Sequence, residues 1–198
     1  IQIPCKSNEK CSLLEHKEKG NELDTLQELH TYCTNNPQDS VVYIHNKGSF
    51  HATKQNTLLR QLLTKAVFSD TCTSFKTDDN SCNVCSARFS PIPHWHTPGN
   101  MWMAQCDYIQ NLIAPKSFPA YVDKAIHGAM RHWQRKRSKT FMVGQGRFAS
   151  EHWVHAHPDV NPCDVYTPDN WVWGYSLELD SNRKLERARA PRFPSPRD

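Results

Sequence analysis

The sequence predicts an α/β domain in which a mixed sheet is flanked by helices. The first observation is a leucine repeat over residues 22–33, where apolar side chains at every third position indicate one buried helix face. The second is the run Val41–Ile44, which is apolar and β-branched and therefore typical of a strand. It follows the turn-forming stretch "NNPQDS", so helix and strand alternate.

The middle of the chain continues this alternation. Leucines at residues 58, 59, 62 and 63 predict a second helix over residues 56–67. The polar segment 70–98 predicts a loop around one short strand. The stretch "NMWMAQCDYIQNLI" predicts a strand or turn leading into a helix that ends before Pro115.

Three further elements are expected in the last third of the chain. Residues 121–137 predict a helix whose C-terminal half is basic, and "FMVGQG" predicts a strand followed by a glycine turn. In "ASEHWVHAH" we expect a helix capped by Ser150, with Glu151 in its first turn.

The 198 residues suffice for one domain with flanking segments. Residues 1–20 are polar, contain two cysteines and read as a lead-in to a single domain over residues 21–180. Residues 181–198 are basic and rich in proline, with little to bury, which predicts a flexible tail.

Charge and hydropathy indicate neither nucleic-acid binding nor a membrane span within this chain. A net charge of +4, much of it in two local runs, is too small to indicate nucleic acid, so we expect no nucleic-acid partner. No run approaches the roughly 20 apolar residues that span a bilayer, and no signal peptide follows Ile1. An anchor or signal, if the parent protein has one, is expected upstream of this chain.

Eight cysteines spread along the chain favour an oxidising compartment with some disulfides. Eight cysteines allow 105 pairings, so no pairs are predicted. An alternative use is structural zinc, because two thiolates and two imidazoles lie within fifteen residues: Cys82, Cys85, His94 and His96.

The strand end in "VVYIHNKGSFH" has the composition of an anion site. Ligands of open α/β sheets bind beyond the carboxyl ends of strands, and His45, Lys47 and Gly48 follow such an end. Arg60 is available on the next helix. The alternative is a polar turn with a solvated lysine, because the spacing is that of neither a P-loop nor a dinucleotide fingerprint.

Two carboxylates are candidates for chemistry. Asp107 is embedded in an apolar stretch and could ligate a hard cation or cap a helix. Glu151, flanked by Arg147 and His152, could serve as a general base or merely stabilise a helix N-terminus.

Three ordered blocks of the chain resemble a group of nucleotide-sugar glycosyltransferases found in algae and in bacterial polysaccharide loci. The blocks are "VVYIHNKGSFH" with a downstream arginine, "HTPGNMWMAQCDYIQNLI" and "GRFASEHWVHAHPDVNPCDV", and together they cover about residues 25 to 165. The middle block, with its GNxW core, is the most specific. The matching positions are Tyr43, His45, Lys47, Gly48, Arg60, His96, Gly99, Asn100, Trp102, Ala104, Asp107, Tyr108, Arg147, Glu151 and Trp153.

The resemblance implies a GT-A-like fold that moves a sugar from a nucleotide donor to a glycan or glycoconjugate acceptor. Glu151 would be the base, and Lys47 and Arg60 would be the contacts for the diphosphate. The sugar site would be lined by His96, Asn100, Trp102 and Asp107, and the other substrate-binding residues would be His45, Gly48, Gly99 and Arg147. Asp107 would also be the candidate ligand for Mn²⁺ or Mg²⁺, and no organic cofactor is expected.

The chain departs from that group in two ways. No Asp-x-Asp follows a strand, and the first α/β unit, which holds the nucleotide base, is expected to be missing or upstream of Ile1. Such an enzyme would work in the Golgi lumen or elsewhere in the secretory pathway, or outside the cell. The alternative hypotheses are a non-catalytic secreted module that binds carbohydrate or another partner, and a zinc-stabilised domain.

Overall fold

A computed structural model describes residues 13–46, 53–74, 82–90, 95–130, 148–166 and 188–189. The side chains of 126–130 and 188–189 are outside that description. In chain order, the elements are α1 (Glu22–Asn35), β1 (Ser40–Tyr43), α2 (Lys54–Val67), α3 (Asp70–Thr73), β2 (Val84–Ser86), β3 (Trp102–Gln105), α4 (Cys106–Ile109), α5 (Phe118–Met130), α6 (Ala149–Trp153), β4 (Pro162–Asp164) and β5 (Ala188–Arg189).

The strands form one mixed sheet in the order β1-β3-β2-β4-β5. The β1–β3, β2–β3 and β4–β5 pairs are antiparallel, while β2 and β4 run parallel. Register places Tyr43 opposite Trp102 and Ser40 opposite Gln105. The expectation of a mixed α/β sheet flanked by helices is confirmed.

Each face of the sheet has its own hydrophobic cluster, as the alternation of side chains along a strand requires. Trp102 and Ala104 point toward α1, α5 and α6, where they join a cluster that includes Leu26. Met103, between them, points the other way and packs on the cluster of α2 and α3, which includes Leu63. The helices therefore cover both faces of the sheet.

Among the described residues, three disulfides hold the elements together, and their sequence separations range from 13 to 81 residues. They are Cys33–Cys106, Cys72–Cys85 and Cys82–Cys163. Cys82 and Cys85 are therefore bound to other cysteines, and the zinc interpretation that used both thiolates is wrong. Disulfides persist in oxidising environments, which fits the secretory pathway or the outside of the cell.

Most predicted elements are present with small shifts of their ends. The helices expected over 22–33 and 56–67 are α1 and α2, and the strand at 41–44 is β1. The stretch before Pro115 is β3 followed directly by α4. The helix expected over 121–137 starts earlier, at Phe118.

Two expectations need correction. Ser150 does not cap α6: the helix starts at Ala149, Phe148 is in the cap position, and no side chain bonds there. Within the expected flexible tail, Ala188–Arg189 pairs with β4 as a short strand. Residues 1–12 and the predicted strand at 141–146 lie outside the described residues.

In the described part of the chain, no helix combines the length and the apolar composition needed to cross a bilayer.

Candidate functional site

The Glu22 carboxylate joins three parts of the fold. One oxygen, Oε1, accepts hydrogen bonds from the Tyr43 hydroxyl at 3.0 Å and from the Asn100 amide at 2.7 Å. The other, Oε2, accepts from the Ser150 hydroxyl at 2.7 Å. These donors come from β1, from the loop before β3 and from α6, so a single side chain ties these three segments together.

The start of α1 fixes where Glu22 lies. Asn21 is the N-cap, and its side chain accepts from the backbone N–H groups of Leu23 and Asp24. The Asp24 carboxylate accepts from the Asn21 N–H at 2.9 Å, which completes a capping box. Glu22 is thus the first helical residue, where the helix dipole favours a negative charge.

A left-handed turn brings Asn100 inward. Gly99 has φ +80° and Asn100 has φ +47°, in the region that favours glycine and that asparagine tolerates. A Cβ atom on Gly99 would also clash with Cδ1 of Leu63, so packing against α2 favours glycine here as well. The left-handed turn therefore favours the Gly99–Asn100 pair through its backbone angles, in addition to the hydrogen bonds that the Asn100 side chain makes.

Asn100 is completely buried and uses its whole amide group. Its Nδ2 donates to Glu22 and, at 3.2 Å, to the Ser150 carbonyl oxygen. Its Oδ1 accepts from the Trp102 indole N–H at 2.9 Å. A buried polar side chain satisfied in this way fixes its neighbours in one arrangement.

His45 extends this network toward solvent. Its Nε2 lies 2.8 Å from the Gly99 carbonyl oxygen, which can only accept, so Nε2 carries the hydrogen. The same nitrogen is 3.9 Å from Oε1 of Glu22. The ring stacks on Tyr43 with centroids 5.8 Å apart, and Tyr43 stacks on Trp102 at 5.2 Å. Nδ1 is left as the nitrogen of His45 that can meet a ligand.

Electrostatics keep the Tyr43 hydroxyl a donor. Burial, reinforced by the charge of Glu22 and the hydrogen bond to it, raises the pKa of the Tyr43 phenol far above its usual range. The phenol therefore stays protonated and keeps donating its hydrogen bond to the Glu22 carboxylate. The ring is 4% exposed, so the group serves the network rather than the solvent.

Glu151, the predicted base, lies between two anchored residues of α6. Ser150 is bonded to Glu22, and His152 donates from Nδ1 to the Trp95 carbonyl oxygen at 2.7 Å. Burial lowers the pKa of His152, so its ring is neutral and Nε2 is an acceptor. Glu151 itself is half-buried. The network thus fixes the backbone that carries it.

The structure brings His45, Gly99 and Asn100 together with Ser150 in one network, and Glu151 follows Ser150 in the chain. Trp102 is wholly buried, so it offers no face to a sugar and instead holds Asn100. His96 is also buried, paired through its backbone with Ser90.

The remaining predicted residues are more distant or not described. Arg60 lies on α2 one turn before Leu63, the residue that touches Gly99. Asp107 is exposed in the first turn of α4, at the opposite end of β3 from Asn100. Among the described residues, no three side chains of metal-ligand type form a cluster. Lys47, Gly48 and Arg147 lie outside the described residues.

A groove of about 1080 Å³ opens beside this network. Its walls are residues 14–20, the exposed side of α1 and the outer strand β1, and both Glu22 and His45 line it. Its volume is slightly larger than that of most ligand pockets, roughly 300–1,000 Å³. A ligand there would meet the Glu22 network from the solvent side.

Sequence reasoning missed Glu22 and the part played by Ser150. The available signal was the capping-box pattern of Asn21 and Asp24, which places a carboxylate at the first helical position. Nothing in the sequence indicates that this carboxylate meets Asn100, 78 positions away.

The chain belongs to a protein family described as a domain of unknown function (DUF8361), whose model matches residues 1–198. No curated protein matches the chain. No solved structure matches it either.

Proposed function

We propose that this DUF8361 domain is a glycosyltransferase of GT-A-like fold, which moves a sugar from a nucleoside diphosphate to a glycan or glycoconjugate acceptor. One observation carries the proposal. The three blocks that resemble nucleotide-sugar glycosyltransferases are far apart in sequence, yet His45, Asn100 and Ser150 from those blocks meet around Glu22.

The transfer needs a base and a means of stabilising the leaving diphosphate. The acceptor hydroxyl attacks the anomeric carbon and its proton passes to the base, while the bond to the diphosphate oxygen breaks with its electron pair. Glu151 is the proposed base. Glu22 is less suited, because its oxygens already accept three hydrogen bonds.

The leaving diphosphate is assigned to positive side chains. Lys47 and Arg60 are the proposed contacts, and Arg60, on α2, is the one that the structure describes. Asp107, proposed for Mn²⁺ or Mg²⁺, is exposed beyond the far end of β3, and no ligand cluster accompanies it among the described residues. The described residues around Asp107 do not fit that cation, so no step is routed through it.

Glu22 and Asn100 would act as positioning residues. They fix the backbone of Ser150 and thereby the start of α6, where the proposed base lies. They also fix Gly99, whose carbonyl orients the His45 ring. His45 would then present Nδ1 to the donor. The Golgi lumen is the proposed location, because nucleotide-sugar enzymes of this kind and disulfides coexist there.

The test is a thermal-shift screen of the purified chain with UDP- and GDP-sugars, with and without Mn²⁺, followed by a transfer assay with the donor that binds. Lys47→Ala should abolish the shift. Glu151→Gln should keep the shift and lose transfer, because a base need not bind the donor. Asp159→Asn, an exposed carboxylate change, is the matched control.

If no nucleotide sugar shifts the melting temperature and Lys47→Ala changes nothing, the transferase proposal fails. The other candidate is then a non-catalytic module of the same fold. The specific observation in its favour is the acidic groove along β1, which could bind a partner without any chemistry.

A further inference from the structure

We propose that the groove along β1 is a docking site for an extended, basic polypeptide segment, which adds to the sheet as a strand beside β1. This goes beyond sugar transfer and does not depend on it, because it needs only the edge of the sheet and the charge of the groove. Strand addition to an open sheet edge is a recurring mode of peptide recognition.

The groove follows the edge of β1, the outermost strand. Five consecutive residues of the chain line it, from Ser40 to Ile44. Successive strand residues point to opposite faces, so a cavity that touches all of them runs along the strand edge. Within the described residues, β1 pairs with β3 on its inner side and no strand pairs with its outer side.

The hydrogen-bond register identifies the backbone groups that face the groove. The Cys106 N–H donates to the Asp39 carbonyl at 2.9 Å, so these two residues form a hydrogen-bonded pair just beyond the strand end. Such pairs alternate along an antiparallel ladder. Val41 and Tyr43 therefore bond to β3, and the N–H and C=O groups of Ser40 and Val42 point outward.

The groove is acidic on a chain that is basic as a whole. Its lining holds five carboxylates and one lysine, a formal charge of −4 with His45 neutral, whereas the chain carries +4. The five carboxylates are Glu15, Glu18, Glu22, Asp24 and Glu28. Pairs of Lys17 with Glu15 and Glu28, and of Lys116 with Asp24, neutralise only part of this charge.

These features together select a polypeptide with positive side chains. Outward backbone groups spaced two residues apart repeat at about 7 Å, the repeat of another strand. Two exposed apolar side chains in the lining, Leu14 and Ile44, offer contacts for apolar residues that alternate with the basic ones. A basic glycan would satisfy the charge but could not reproduce the ladder.

The experiment uses the full chain and a fluorescein-labelled nine-residue peptide of alternating lysine and valine, followed by fluorescence anisotropy. Saturable binding is expected. Methylating every backbone nitrogen of the peptide keeps its charge but removes its donors, so binding should weaken by at least about tenfold, the equivalent of 1.4 kcal/mol.

On the protein side, Glu18→Gln with Glu28→Gln should weaken binding by about tenfold, since two charge pairs are lost. Asp123→Asn with Asp159→Asn removes the same charge at exposed positions outside the groove and should leave binding unchanged. Thermal melts of all variants verify folding.

Three results would overturn the proposal. Equal binding of the methylated peptide would mean that only charge is recognised. Tighter binding of a chitosan oligomer of matched charge would make the groove a glycan site. No binding of the lysine–valine peptide would show that a basic strand does not add to this edge.

Discussion

The Glu22 carboxylate and the Asn100 amide lie 2.7 Å apart although 78 residues separate them in the chain. This contact joins the first turn of α1 to the left-handed turn before β3, and through Ser150 to α6. The arrangement holds Tyr43, Asn100 and Ser150, which come from three separate blocks of the sequence, around one carboxylate. Because Asn100 is buried, the support is part of the core and its loss should be measurable as stability.

Glu22→Gln should destabilise the fold by about 1–3 kcal/mol, the cost of leaving a buried polar group without a partner. A glutamine loses the charge that strengthens the bonds from Tyr43 and Asn100, and its Nε2 group meets Ser150 only if that hydroxyl turns round to accept. Chemical denaturation measures the change. Glu18→Gln, an exposed neighbour in sequence, should change the free energy of unfolding by less than about 0.5 kcal/mol. Equal effects of the two substitutions would contradict the network.

Gly99→Ala should be strongly destabilising, by about 2 kcal/mol or more, because it combines backbone strain with a clash against Leu63. Gly20→Ala is the matched control, since its nearest neighbour would be 3.5 Å away, an ordinary contact. In a Leu63→Ala background the free-energy cost of Gly99→Ala should be smaller, because the clash is gone and only the backbone strain remains. A double-mutant cycle in urea separates the two, and additive effects would rule out the clash.

Asp164 should make stability fall as the pH rises from about 4 to 7. Burial raises the pKa of this carboxyl to about 7, although the Phe89 N–H and Arg88 oppose the shift. Between its usual pKa of about 3.9 and about 7, the unfolded chain has released the proton that the folded chain retains. The unfolded state then binds fewer protons, so higher pH favours it, by up to about 1.4 kcal/mol per pH unit.

Asp164→Asn should flatten that slope, because asparagine can still accept from the Phe89 N–H but does not titrate. Urea unfolding at several pH values measures it. The exposed Asp159→Asn should leave the slope as it is. An unchanged slope in Asp164→Asn would show that this carboxyl does not control the pH dependence.

Removing the Cys33–Cys106 disulfide should cost about 4 kcal/mol, and removing Cys72–Cys85 about 3 kcal/mol, because loop-closure entropy grows slowly with loop length. The two bridges close 73 and 13 residues of chain. Paired Cys→Ala variants and denaturation titrations give the values. Peptide mapping under non-reducing conditions checks the pairs, and other pairings would contradict this fold.

Sequence patterns predicted helices and strands well where the element has one apolar face. The leucine repeat of α1 and the β-branched run at Val41 both depend on local periodicity, which a single sequence displays. Ser150 shows where such rules fail. A serine before an acidic residue has the pattern of a cap, but a tertiary partner, Glu22, binds its hydroxyl instead.

The site was only partly predictable for the same reason. Asn100 and His45 were expected in it because their blocks resemble a family, whereas Glu22 is an ordinary first-turn carboxylate in sequence terms. Its three donors come from segments 21, 78 and 128 positions away. Disulfide pairing was equally out of reach, because eight cysteines allow 105 connectivities.

The proposal that the three blocks form one nucleotide-sugar site is tested most directly by hydrogen–deuterium exchange. Exchange is measured with and without the nucleotide sugar that binds. Added donor should slow exchange together in residues 41–46, 97–102 and 149–153, the three segments that meet at Glu22. Glu22→Gln should weaken this joint protection, whereas Glu18→Gln should not. Protection confined to other segments, or none with any UDP- or GDP-sugar, would contradict the claim that these blocks form one nucleotide-sugar site.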